Sequence, residues 1–325
     1  MRKYFLNKFF ISLLSIAVGT EIGFAQQTPF YSQFVLNNYM LNPAYAGTNI
    51  GLEAVVGSRI QWIGMPGAPV TNFASVMYGH RKNFSYKGKH GYGFSVEDDR
   101  RGMFTSKSVY ISYAYHIRIF TGWNLAAGIA GGIRQMALSQ ILEDRNDPAF
   151  NFQKSFFMIY PDFIPGVRMY TKKLFFDVSI RQLYKNNLQQ GDKHFGSTAS
   201  SLDPTLIFMV KRKFSLGNNV WTFTPAASVQ ATLKNTPFVQ ANCMLFYDRK
   251  IGVGASVNGR SFASAILQVK ILKNIYMGIA YDYTISRLRA AAANSVEVML
   301  VLTPGGGDDD KNYSRRVANC PDFAF

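Results

Sequence analysis

Cysteine is almost missing from this chain: Cys243 and Cys320 are the only two in 325 residues. They can form at most one bridge, which excludes a disulfide scaffold. Charge is also thin, at 17% of residues, against 48% hydrophobic and 15% aromatic. A disordered chain shows the opposite balance. Acids are the scarcer charge, 19 against 35 Lys and Arg, for a net +16. The four histidines, His80, His90, His116 and His194, are scattered, with no HExxH and no cysteine pair for zinc. GxSxG is absent, and no histidine has a serine two positions on, so nothing points to a barrel hydrolase. Gly91-Tyr92-Gly93 and Gly252-Val253-Gly254 lie inside alternating strands and are not phosphate loops. The sequence therefore carries no catalytic, cofactor-binding or metal-binding motif, and the expectation is a non-enzymatic protein without a cofactor.

Long apolar runs are missing after the first residues, so no transmembrane helix is expected. The beginning is different. Arg2, Lys3 and Lys8 precede an apolar run from Phe9 to Val18, and Gly23-Phe24-Ala25 offers small residues for cleavage. Residues 1–25 read as a cleaved secretory signal peptide, which makes the protein an exported one.

What is present is alternation. Val109, Ile111, Tyr113, Tyr115, Ile117 and Ile119 alternate with Tyr110, Ser112, Ala114, His116 and Arg118. Ile275, Met277, Ile279, Tyr281 and Tyr283 alternate with Tyr276, Gly278, Ala280, Asp282 and Thr284. Leu174 to Ile180 and Ser295 to Leu302 repeat the pattern. Period two with one apolar face marks strands. Their length, the aromatics at their ends and the Arg, Asp, Glu and Gly on the other face point to a membrane barrel. Strands in lipid must close on themselves, because no water is there to pair the backbone.

Fourteen strands can be counted between 51–61 and 293–303, including 89–97, 161–171 and 196–211. The expected fold is all-β: a transmembrane antiparallel barrel over 50–303, a 26–49 segment leading into it, and a 304–325 tail. An even count that starts in the periplasm also ends there, so both termini are expected to be periplasmic. The long connections 138–160 and 185–195 then fall outside and the short turns inside.

The charges divide along the same line. Arg81, Lys82, Lys172, Lys173, Lys211, Arg212, Lys213, Arg249, Lys250 and Lys273 fall at the inner turns, opposed there only by Asp248. A basic rim of this kind is a candidate docking surface for an acidic periplasmic partner. Nucleic acid is not an expected partner of an exported barrel. Arg59, Arg118, Arg134, Arg168, Arg181, Asp177, Asp282 and Glu297 fall on inward faces. In an open lumen the arginines would favour anions, which leaves an anion-preferring channel or small-solute transporter as the alternative function.

The segment after the signal peptide carries Tyr31-Ser32-Gln33-Phe34 and Asn42-Pro43-Ala44-Tyr45-Ala46-Gly47. Arg59-Ile60-Gln61-Trp62 and Gly67-Ala68-Pro69-Val70-Thr71 follow. Further on come Pro161-Asp162-Phe163, Tyr281-Asp282-Tyr283-Thr284-Ile285-Ser286 and Asn294-Ser295-Val296-Glu297. In this order they resemble the PorP/SprF family of the Bacteroidetes type IX secretion system. The physical reading of the motifs is structural. Asn42-Pro43 sets an extended approach to the first strand and Gly47 a turn. Trp62 anchors the outer interface, and Gly67-Ala68-Pro69 stiffens the first hairpin loop.

The resemblance implies an outer-membrane protein of a Gram-negative, Bacteroidetes-like cell, surrounded by outer-membrane lipids. It implies secretion or surface attachment of a large adhesin with a type B C-terminal domain, with a possible link to gliding motility. Periplasmic type IX secretion lipoproteins are the implied partners on the inner side.

Overall fold

The computed structural model describes residues 29–80, 88–138, 156–183, 189–190, 193–194, 203–216, 220–232, 235–259, 261–285 and 294–304. The expected signal peptide, the tail after residue 304, Arg81, Lys82 and most of the two long connections lie outside them.

The described strands are β1 (Gly51–Ile60), β2 (Val70–Gly79), β3 (Lys89–Arg101), β4 (Phe104–Phe120) and β5 (Trp123–Leu138). Next come β6 (Phe156–Tyr170), β7 (Leu174–Arg181), β8 (Thr205–Arg212), β9 (Trp221–Thr232) and β10 (Asn235–Tyr247). β11 (Ile251–Asn258), β12 (Phe262–Leu272), β13 (Ile275–Thr284) and β14 (Ser295–Leu302) complete the wall. A three-residue strand Phe214–Leu216 extends β8, and Gln189–Gln190 pairs with Lys193–His194 apart from the wall. Every wall strand is antiparallel to the next, and β14 pairs back onto β1, so the described residues close a 14-stranded barrel. Closure leaves no open sheet edge for lipid to desolvate.

Alternation decides the two faces. On β4, Val109, Ile111, Tyr113, Tyr115 and Ile117 are exposed outward, while Ser108, Tyr110, Ser112, Ala114 and His116 are buried inward. Ile111 is 70% exposed and its neighbour Ser112 3%. An apolar exterior around a polar interior inverts a soluble protein and suits a bilayer.

Some strand limits move. The third strand runs to Arg101, past the expected 97, and the eighth begins at Thr205 within the expected 196–211. The sixth begins at Phe156, not 161. Pro161 and Pro165 sit inside it, beyond its ladder with β7, which spans only Gly166–Tyr170 on β6. A proline is tolerated in a strand where no neighbour needs its missing N–H. β4, β5 and β6 run 17, 16 and 15 residues, more than the ~9–11 that a tilted span requires. Their surplus stands at the end of the long connections, here the loop end. The opposite end, where the basic turns lie, is the turn end.

Residues 29–49 lie inside the barrel. Phe30, Tyr31, Phe34, Leu41 and Ala44 are at most 2% exposed. The segment turns through a one-turn helix, Asn38–Leu41, and a 3₁₀ turn, Pro43–Tyr45. It also has a direction. Phe30 packs on Phe238 and Phe262 at the loop end, and Thr48 accepts from Lys89 at the turn end. Gly51 and Leu302 do share the turn end, but the described chain begins at the opposite one, because residues 30–49 traverse the lumen first.

Candidate functional site: the lumen and its plug

The inward faces are polar because each strand contributes alternate residues to the interior, and the plug must find partners there. Near the loop end, Ser32 and Gln33 direct their backbone N–H groups at the two oxygens of Glu297, 2.8 and 2.9 Å away. The Ser32 hydroxyl donates to Asp282 at 2.7 Å and accepts from Arg59 Nη1 at 2.8 Å. Arg59 pairs with both Asp282 and Glu297, and its guanidinium lies 4.2 Å from the centre of the Phe30 ring. Four stretches far apart in sequence thus meet in one fully buried network.

Two further networks flank it. Tyr31 donates its hydroxyl to Glu97 at 2.6 Å, and Arg181 pairs with the same carboxylate at 3.3 Å. Gln240 donates to the Tyr31 carbonyl at 3.1 Å. Tyr110 donates to Asp162 at 2.6 Å, while Arg134 donates to the Tyr110 oxygen at 2.9 Å and pairs with Asp162 at 3.6 Å. Nearer the turn end, Arg168 pairs with Asp177 at 2.9 Å. It also lies over the rings of Phe175 and Tyr45, 4.3 and 4.8 Å from their centres. Arg59, Arg134, Arg168 and Arg181 are all buried, and each has a carboxylate partner, which offsets the cost of taking it out of water. Arg118 has the inward parity of β4 but is exposed near the strand's turn end, away from these networks.

The Asn42–Gly47 motif fits the wall by being small. Asn42 accepts from the Ala44 N–H and donates to the Val167 carbonyl, both at 3.0 Å, tying the 3₁₀ turn to β6. A Cβ on Gly128 would lie 2.6 Å from the Ala44 backbone, and one on Gly47 would lie 2.5 Å from Gly91 Cα. Gly47 also has φ +75, a left-handed conformation. Pro43 opens the turn, and the Tyr45 hydroxyl donates to Glu53 at 3.3 Å. His116 donates through Nε2 to the Ala46 carbonyl at 2.7 Å and accepts at Nδ1 from the Tyr170 hydroxyl at 2.9 Å. Interior backbone meets interior backbone here, and only glycine leaves the room.

The second motif lies at the loop end. Gln61 N–H donates to the Pro69 carbonyl at 2.9 Å and closes the first hairpin. Trp62 is half-buried at φ +52, with its backbone N–H on Ser295 Oγ at 3.1 Å. It fastens the end of β1 to the start of β14, and its indole N–H is buried, not turned to an interface. Gly67, at φ +70, accepts at its carbonyl from Gly102 N–H at 2.9 Å, with Ala68 and Pro69 half-buried beside it.

The rim candidates divide. Lys172, Lys173, Lys211 and Lys213 gather with Arg168 around one recess at the turn end. Arg212 and Lys273 are exposed outside it, as is Arg249. Lys250 donates to Asp248 at 2.6 Å, and that bond holds the Asp248 carboxyl below its usual range.

Sequence reasoning did not place Ser32, Gln33, Glu97 or Asp162 in the interior. A parity signal existed for Glu97, which follows Gly91, Gly93 and Ser95 on one face of β3.

A closed barrel with an apolar outer face and a lumen filled by its own N-terminal segment defines a plugged outer-membrane β-barrel. Residues 23–302 match the family described as "Type IX secretion system membrane protein PorP/SprF". The chain belongs to that family and is a type IX secretion component of the outer membrane. No curated protein matches it.

Among solved structures it is similar to the outer membrane protein Omp33 of Acinetobacter baumannii, at 10% identity and a TM-score of 0.46, over 79% of this chain and 100% of that one. The CymD monoaromatic hydrocarbon channel gives 11% and 0.49, over 87% and 95%. The NanC porin gives 13% and 0.38, over 78% and 100%. No transport activity passes from these likenesses to this chain.

Proposed function

We propose that the protein is a non-enzymatic scaffold that supports secretion or surface attachment of a large adhesin with a type B C-terminal domain, and through it gliding where the cell glides. In this reading the loop end faces the cell exterior and meets the client. The basic turn end faces the periplasm of a Bacteroidetes-like cell and meets type IX lipoproteins.

The observation that carries the reading is the plug. A lumen whose arginines are paired and whose axis is filled by residues 29–49 favours a rigid support over an anion channel. The test combines two measurements. Deletion of the gene should abolish surface display of the adhesin, and purified protein in planar bilayers should show no steady current. Normal display in the deletion strain together with a robust anion current from the native protein would replace the scaffold with the channel.

A further inference from the structure

At the turn end a recess of about 590 Å³ of atom-free space, counting its opening to solvent, lies between the plug and the wall. Its sides are Arg168, Lys172, Lys173, Lys211 and Lys213, and no carboxylate lines it. Arg168 is already paired with Asp177. Lys172, Lys173 and Lys211 have no carboxylate partner among the described residues. Asn38 lines the same recess at 2% exposure, and its side-chain oxygen has no partner. Turned over, that amide would present two N–H donors to a guest.

The frame is fixed. Lys213 N–H donates to the Lys173 carbonyl at 2.7 Å, joining the strand ends of β7 and β8. The Thr171 hydroxyl oxygen accepts from Lys173 and Leu174 N–H at 3.1 and 3.0 Å, which sets the turn. Several like charges held together in a partly dry recess repel one another unless an anion joins them.

We propose that this recess is a docking site for an acidic peptide segment of a periplasmic partner, one carrying adjacent Asp or Glu residues. Three features select that occupant. The recess is lined by plug residues Val35, Leu36 and Asn38, which lie within the barrel and not on its lipid face, and this disfavours a lipid headgroup. Its cations span two successive turns, an extent suited to several carboxylates in a row rather than one small anion. Leu174 and Phe175 give the same wall apolar contact for a peptide. The assignment rests on the scaffold reading for the compartment alone, since peptide binding by purified protein does not depend on orientation or client.

The test uses the full-length protein in nanodiscs and a fluorescent hexaglutamate peptide. Saturable binding that weakens with salt is expected. Lys172→Glu with Lys173→Glu should reduce affinity about tenfold or more, while Arg249→Glu with Lys250→Glu, on a turn outside the recess, should change it less than about twofold. Lys211→Gln should also weaken binding, with an unchanged unfolding temperature as its control. Equal losses from both double variants would mean a diffuse charged rim and overturn the site. Displacement of the peptide by equimolar inorganic phosphate would make it a small-anion site. Binding seen only after Asp308, Asp309 and Asp310 are changed to Asn would assign the recess to the chain's own tail, not to a partner. Failure of adhesin display in a deletion strain bears on the scaffold reading and leaves this result untouched.

Discussion

Arg59 and Glu297 stand opposite each other across the ladder where β1 meets β14, and Glu297 also takes the N–H groups of Ser32 and Gln33. One carboxylate therefore belongs both to the seam that closes the wall and to the socket that holds the plug. Glu297→Ala would leave a buried guanidinium with one of its two carboxylates and two plug N–H groups with none. We expect a loss of about 3–5 kcal/mol, the usual cost of breaking a buried pair from one side. Glu297→Gln, which keeps an acceptor oxygen, should lose less. Unfolding in detergent, followed by the mobility shift of folded barrels on unheated gels, measures both.

Glycine should be intolerant on the interior face where the plug approaches and tolerant on the outward face of the same strand. Gly128→Val drives a side chain into the Ala44 backbone and should cost about 1–3 kcal/mol through overpacking. Gly131, three residues along the same strand and so on its outward face, would meet only the Phe163 ring at 3.5 Å. Gly131→Val should stay within about 0.5 kcal/mol of the parent. Equal effects at both positions in a urea titration would contradict the described fit.

Conductance should follow the plug. The native barrel is expected to be closed, and Glu297→Ala or Gly128→Val to show openings as the segment loosens. If both variants stay as silent as the parent while their stability falls, the lumen is blocked by something other than residues 29–49.

The two ends of the mature chain should be accessible from opposite sides. An epitope placed just before Phe30 is expected to be labelled on intact cells. One at the C-terminus should be labelled only after the outer membrane is opened. Labelling of both from one side would contradict the course of the segment through the lumen.

The wall was legible because lipid enforces alternation, as Val109 to Ile119 and Ile275 to Tyr283 display without help from context. Strand limits were less so. The turns after Arg101 and before Phe156 depend on neighbouring hairpins, and Pro161 resembles a strand boundary until the missing β7 ladder explains it. The interior was the hidden part. Residues 29–49 have neither period two nor a helical stripe, because their partners come from the whole circumference. Ser32 and Glu297 are 265 positions apart. The pairing of Gly128 with Ala44 and of Gly91 with Gly47 is equally invisible one segment at a time. The parity rule holds for the strands, since Gly51 and Leu302 share the turn end, and it carries no information on the segment that crosses the barrel before the first of them.

That crossing sets an order of assembly. Threading some twenty residues with bulky rings such as Phe30, Tyr31 and Phe34 into register through a finished cylinder would be slower than closing the wall around them. Because Glu297 on β14 holds both Arg59 on β1 and the N–H groups of Ser32 and Gln33, the zippering of β14 onto β1 also completes the socket for the leading stretch. Whatever inserts this protein into its membrane must wait for the end of the polypeptide before it can seal in the beginning.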